Sequence, residues 1–238
     1  MVNKNKTLVM LVVSPLGIRT LASQVPIELD SASKFAVLGG TGVASTGDTA
    51  VHGGDVGTSH GEAITGFPPG MVIPPFESRV GDAATKQAHV DLVAAYNAAT
   101  RMKPTHDLSG QNLGGLTLLP GVYYFSAAAE LTGTLTLNGQ NDPKAQFVFQ
   151  VGTTLATAEA SAVISINGAS SSGAGSSIFW LVAESAVLGA DSAFEGNILV
   201  QKDITINTDA SIRDGCVLAC AGAVNLNSNK ITKRFNAV

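Results

Sequence analysis

Ile204-Thr205-Ile206-Asn207 and Val224-Asn225-Leu226-Asn227 repeat one pattern, apolar–polar–apolar–Asn, with 20 residues between Thr205 and Asn225. Ala186-Val187-Leu188-Gly189 is a degenerate copy, with Val187 18 residues before Thr205. Leu135-Thr136-Leu137-Asn138 and Ile164-Ser165-Ile166-Asn167 carry the pattern earlier in the chain. A second recurrent strand precedes the late copies: Phe179-Trp180-Leu181-Val182, Ile198-Leu199-Val200 and Val217-Leu218-Ala219. Short strands recurring at a period near 20 read as the turns of a β-solenoid, each turn laying one rung on each face. Strand alternation sends Leu135, Leu137, Ile164, Ile166, Ile204, Ile206, Val224 and Leu226 inward. It sends Thr136, Ser165, Val187, Thr205 and Asn225 outward, a ladder of small uncharged groups. Leucine-rich and calcium-binding nonapeptide repeats are absent, and a sandwich fits the constant period less well.

One segment is helical by pattern. Between about residues 77 and 101, Val80, Ala84, Ala88, Leu92, Ala95, Tyr96 and Ala99 form one buried stripe. Pro74-Pro75 precedes it and Pro104 follows it. The stripe is rich in Ala, so the helix can lie close against a flat sheet.

The composition narrows the function. The 238 residues are 45% hydrophobic and 13% charged, with 26 Gly, about half the charge of an average globular chain. That hydrophobicity excludes disorder, and a net charge of −4 leaves no basic excess for nucleic acid. Lys4 and Lys6 precede an apolar run from Leu8 to Ile18, with small residues near Ala22. This layout predicts a secretory signal peptide over residues 1–22, too short for a membrane span, and a single domain over 23–238. Its removal takes away Lys4, Lys6 and Arg19 and no acid, moving the net charge from −4 to −7. Cys216 and Cys220 would sit roughly 13 Å apart on one strand, too far to bridge. His52, His60, His89 and His106 are scattered over different segments and suggest no metal site; no cofactor is expected.

Several stretches resemble a known family. Ala32-Ser33-Lys34-Phe35-Ala36-Val37-Leu38-Gly39-Gly40, Thr65-Gly66-Phe67-Pro68-Pro69-Gly70 and Ala95-Tyr96-Asn97-Ala98-Ala99-Thr100 are similar to segments of the microbial ice-binding proteins. So are the run from Leu113 to Tyr123 and Phe194-Glu195-Gly196-Asn197-Ile198-Leu199. The resemblance covers roughly residues 28–232. It implies a mainly β fold: a discontinuous right-handed parallel β-helix of triangular cross-section, with one long α-helix packed alongside and the N-terminal turn inserted among C-terminal turns. It implies a secreted monomer whose partner is ice and its ordered water, with no membrane or nucleic acid.

The family's loose ice-face pattern is Thr, then Ala or Gly, any residue, then Thr or Asn. Thr41-Gly42-Val43-Ala44 and Thr49-Ala50-Val51-His52 follow it in part. Ser185-Ala186-Val187-Leu188, Lys202-Asp203-Ile204-Thr205 and Gly222-Ala223-Val224-Asn225 are later equivalents. The expected ice-binding set is therefore Thr41, Thr49, Thr134, Thr136, Ser165, Thr205 and Asn225, with His52 at its edge. Two rival readings are a secreted carbohydrate-active β-helix enzyme and a cell-surface adhesin. The enzyme would need paired carboxyls in a cleft. Asp191, Glu195, Asp209 and Asp214 are available but read as corner or solubilising residues, and no nucleophile–base pair is visible.

Overall fold

The computed structural model describes residues 26–60, 63–169 and 177–234. The expected secretory segment, residues 1–22, lies outside them. Three parallel sheets of nine, seven and eight strands wrap a common apolar core. Each turn of chain places one strand in each sheet, in that order. Five turns run consecutively: Gly121–Phe125, Ala129–Leu131 and Thr134–Asn138; Phe147–Val151, Leu155–Thr157 and Ala162–Ile166; Ile178–Val182, Ala186–Leu188 and Ala193–Glu195; Asn197–Val200, Ile204–Ile206 and Ser211–Arg213; Val217–Ala219, Ala223–Asn227 and Lys230–Thr232. The stack then continues with the other end of the chain, Phe35–Gly39, Gly42–Thr46 and Ala50–His52, and after it Asp55–Thr58, Ile64–Thr65 and Met71–Val72.

The β-helix is thus discontinuous, but the N-terminal turns are not inserted among the C-terminal ones. They stack beyond the last of them. Val37 and Leu38 pair with Val217 and Leu218, Gly42–Thr46 pairs residue for residue with Ala223–Asn227, and Ala50–His52 pairs with Lys230–Thr232. The turns from residue 121 to 232 already bond to one another without a gap, so the free edge of the last turn is the place left for the N-terminal chain.

The two solvent-facing sheets alternate buried and exposed residues. The nine-stranded sheet instead carries runs buried on both faces, such as Phe147–Val151 and Ile178–Val182, the mark of a sheet covered on both sides. Its inner side holds an aromatic stack. Tyr123, Phe149 and Trp180, with Phe194 of the eight-stranded sheet closing the row, follow one another with ring centroids 5.3, 3.8 and 4.8 Å apart. Its outer side carries the helix Ala83–Thr100, which buries Thr85, Ala88, Leu92, Ala95, Tyr96 and Ala99 against Phe35, Leu38, Phe179, Leu181, Leu199 and Leu218. Cys216 and Cys220 belong to this second layer. Both are free, and burial pushes their thiols up to about 12.

The helix spans about 27 Å, carrying the chain from the last N-terminal turn back to the far end of the stack, where His106–Asp107 pairs with Tyr123 and Tyr124. It begins later than the expected residue 77. Ser78–Val80 is instead an edge strand on Val56–Thr58, and Gly81 turns the chain at φ 60°. Val80 and Ala84 are therefore exposed, and Thr85 takes the buried place expected of Ala84. At the other end, Gln150 Nε2 donates to the carbonyls of Ala99 and Met102, both at 2.9 Å, satisfying acceptors that a helix terminus leaves free.

Asp82 caps the helix: its Oδ1 accepts the Thr85 N–H at 2.7 Å. That bond, foremost, holds the carboxyl below its ordinary 3.8. Replacing Asp82 with Ala should cost about 0.5–2 kcal/mol. Because the folded-state value is depressed, the contribution is complete above pH 3.8 and fades as pH falls through the folded value. Denaturant unfolding of both proteins at pH 7 and pH 3 should show the gap narrowing at the lower pH.

Candidate functional site

With the nine-stranded sheet under the helix, two flat faces remain open. On the seven-stranded sheet, Val187 pairs with Thr205, Thr205 with Asn225, Asn225 with Ala44 and Ala44 with Thr65. Ala156 and Glu130 extend this row toward the other end. Their strand neighbours, including Ile204, Ile206, Val224 and Val43, are buried, so the row points to solvent. Parallel strands repeat about every 4.8 Å, and outward side chains on one strand recur about every 6.6 Å. The parallel rows Ala223–Gly42 and Asn227–Thr46 therefore widen the face on either side. Among the strand residues of this sheet, Glu130 alone is charged.

The eight-stranded sheet presents a different surface. Its outward residues include Thr134 and Thr136, but also Lys230, Arg213, His52 and the exposed Ile164. Glu195 lies here with its side chain 1% exposed. Ser165 Oγ donates to its Oε1 at 2.7 Å and Arg213 Nη2 to its Oε2 at 2.9 Å. The same bond to Glu195 raises Arg213 above its ordinary value.

The expected ice-binding residues thus divide. Thr205 and Asn225 are neighbours on the seven-stranded face, whereas exposed Thr41 lies at the corner ahead of Gly42–Thr46, outside the paired strand. Thr134, Thr136 and His52 belong to the eight-stranded sheet. Thr49 is 1% exposed and accepts hydrogen bonds from Ser45 Oγ at 2.8 Å and Asn229 N at 3.2 Å. Ser165 is turned toward Glu195, because its strand is offset by one residue from the expected alternation. Val163 is buried, whereas Ile164 and Ile166, expected inward, are 38% and 40% exposed. The apolar–polar–apolar–Asn pattern does not separate the faces, since any strand leading into an Asn corner can carry it.

The motifs also register unevenly. Gly222-Ala223-Val224-Asn225 stacks on Thr41-Gly42-Val43-Ala44, whereas Ala186 pairs with Ile204, shifting Ser185-Ala186-Val187-Leu188 by one residue. Ala44, Ala156 and Thr65 complete the outward row but were not legible as site residues: Ala is no signature, and only the pairing aligns them.

Of the carboxylates of the enzyme reading, Glu195 is taken up by Ser165 and Arg213. Asp191, Asp209 and Asp214 occupy left-handed corners with φ of 55°, 58° and 53°. Neither of two cavities lined by the described residues holds a carboxylate pair. One, of about 440 Å³, is lined by Ser59, His60, Gly81, Lys86 and His89; the other, of about 400 Å³, has Glu77 as its acid. Among the described residues, no three His, Cys, Asp or Glu side chains are placed to hold a metal ion.

The protein is a three-sided parallel β-helix with two open faces, of which the seven-stranded one is weakly charged. The chain belongs to the ice-binding-like family, whose model matches residues 37–232. It is 40% identical over 232 residues to an ice-binding protein of Nostoc sp. (strain HG1), covering 97% of this chain and 83% of that relative. A crystal structure of an ice-binding protein from an Antarctic biological consortium matches with TM-score 0.82 and 36% identity, over 93% of this chain and 96% of that one. The ice-binding protein of the Antarctic ascomycete Antarctomyces psychrotrophicus matches with TM-score 0.81 and 38% identity, over 90% and 100%.

Arg213→Ala should strand the buried Glu195 carboxylate on Ser165 alone and lower unfolding stability by about 1.5–3 kcal/mol. Glu195→Gln should cost less, because the amide oxygen still accepts and Arg213, with its side chain 61% exposed, returns to water. Equal stability of Arg213→Ala and the wild type in urea titrations would show the pair to be idle.

Proposed function

We propose that this protein binds ice through its seven-stranded face, and that it does so as a secreted monomer without cofactor or catalysis. The observation that carries the choice of face is charge. The strands of the seven-stranded sheet hold a single charged residue at one edge, whereas the eight-stranded face mixes Lys230, Arg213 and an exposed Ile164. Charged groups orient water tightly around themselves and break any lattice-like layer. A row of Thr, Asn, Ala and Val at fixed spacing anchors water at the hydroxyls and amides and leaves it free to order over the methyls. Bridging water is nearly as favourable as a direct hydrogen bond, so a wet face can still bind firmly.

The family relatives, named as ice-binding proteins, support the reading. The placement of Asp191, Asp209 and Asp214 at left-handed corners, and of Glu195 in a pair with Arg213, supports a non-catalytic role. Among the described residues, no helix is long and apolar enough to cross a membrane; the predicted signal peptide supports secretion. Of the expected set, the proposed surface takes in Thr205 and Asn225, with Thr41 at the corner beside it; Thr134 and Thr136 belong to the eight-stranded sheet.

Thr205→Tyr should fold normally, because residue 205 points outward, but should hold the neighbouring rungs off the ice. Most thermal hysteresis and crystal shaping should disappear. Ser211→Tyr and Thr136→Tyr, both on the eight-stranded sheet, should change little. Loss of hysteresis in either of these with retention in Thr205→Tyr would move the site to the other face. Absence of ice shaping by the unmodified protein would end the ice-binding reading.

A further inference from the structure

His60 and His89 are 29 residues apart in sequence, yet their rings meet at 5.0 Å between centroids, nearly perpendicular at 82°. His60 follows the strand Asp55–Thr58 in the last turn of the solenoid, and His89 lies on the helix. Both line the cavity of about 440 Å³. The His60 ring is held by its inner nitrogen. Nδ1 sits 2.8 Å from the Gly40 carbonyl oxygen, which can only accept, so Nδ1 carries the proton and Nε2 keeps its lone pair. Ser59 Oγ, 2.9 Å from the same nitrogen and 3.2 Å from the same carbonyl, reinforces that orientation. An imidazole fixed through a backbone carbonyl, with its other nitrogen free, is the usual arrangement of a metal-ligating histidine.

His89 supplies a second open group. Its Nδ1 is buried and has no hydrogen-bond partner among the described residues, an unusual condition for a buried polar atom. Metal–imidazole bonds of about 2.0–2.1 Å, with a tetrahedral angle between them, place two ring centroids about 5 Å apart. That is the spacing seen here.

We propose that His60 and His89 form a two-imidazole site for a borderline divalent transition-metal ion of the Zn²⁺, Ni²⁺ or Cu²⁺ kind. Such ions favour imidazole over carboxylate or carbonyl donors. Two protein ligands leave the remaining positions to water, which the open cavity admits. Burial, and then the neighbouring His60, keep His89 below its ordinary value, so its ring is neutral at pH 7 and able to ligate. The ion would join the helix to the last turn of the stack, so it should bind the folded chain alone and raise its melting temperature. Lys86 is exposed at the rim and is the one group of the lining that opposes a cation.

Isothermal titration of the full, untagged chain with ZnCl2 and with NiCl2 at pH 7.5 should show one site, with a zinc-dependent rise in Tm. His60→Ala and His89→Ala should each weaken binding at least tenfold and remove the Tm rise, while His52→Ala and His106→Ala leave both unchanged. Lys86→Ala should tighten metal binding. Circular dichroism confirms that each variant folds. Three results would overturn the proposal: no metal binding, binding indifferent to both His60 and His89, or a cavity that takes inorganic phosphate instead and loses it in Lys86→Ala.

Discussion

The pairing of Gly42–Thr46 with Ala223–Asn227 joins residues 181 positions apart, and the proposed ice-binding surface depends on it. Without that seam the seven-stranded sheet would stop at Asn225, and Ala44 and Thr65 would have no place in the row. The same seam is made on the other two sheets, Val37 on Val217 and Ile231 on Val51, so the N-terminal chain docks on all three sides of the last turn at once. Contacts this distant in sequence close a very large loop before any of their stabilisation is realised. Polar corners are tied at the seam as well. Asn229 Nδ2 donates to the carbonyls of Asn207 and Ala210 at 2.8 and 3.0 Å, and its backbone N–H donates to Thr49 Oγ1. Thr49 is buried because it belongs to this lock between the two ends of the chain.

Three sheets around one core would be equivalent but for the helix. Its Ala-rich stripe lets it lie close on the nine-stranded sheet and turns that sheet into an interior layer, with Phe35, Leu38, Phe179 and Leu218 facing outward into it. The sheets left open are obliged to alternate, and what they show to water then differs by composition. One presents Thr, Asn, Ala and Val. The other accommodates the Glu195–Arg213 pair and the exposed Ile164. The helix thus decides which faces are available, and charge separates the two that remain.

Much of this was legible from the residues. The steps of 18 and 20 residues from Val187 to Thr205 to Asn225 are the true register of the sheet, because consecutive turns there have nearly constant length. The continuous apolar runs Phe179-Trp180-Leu181-Val182 and Ile198-Leu199-Val200 stack in register on the buried sheet. The earlier copies misled for a physical reason. Longer turns shift the strands, so Leu135–Asn138 and Ile164–Asn167 belong to the third strand of their turns, while the second strands there are Ala129–Leu131 and Leu155–Thr157. Neither of these carries the Asn that would have flagged it. Ser165 stands one residue off the expected alternation because Val163, just before Ile164-Ser165-Ile166-Asn167, takes the inward position. A pattern read along one strand fixes which residues share a side; which sheet that side belongs to is settled by the lengths of the corners.

On the proposed ice-binding reading, face membership matters more than it would for a cleft, because a flat binder works through many weak and nearly identical contacts. Each outward residue contributes little, so replacing an ideal Thr by Ala44, Ala156 or Val187 thins the array of hydroxyls without breaking its spacing. Spacing belongs to the backbone ladder and survives any side chain that stays within the plane of the face. A bulky side chain does not: by standing proud it separates its neighbours from the lattice even though they are unaltered. Of the departures from the family pattern in this chain, Ala44 is of the first kind, whereas Lys202 is a charged one at the corner ahead of Ile204–Ile206, where it pairs with Glu184. His52 lies with Arg213 and the exposed Ile164 on the sheet that this reading leaves free of ice.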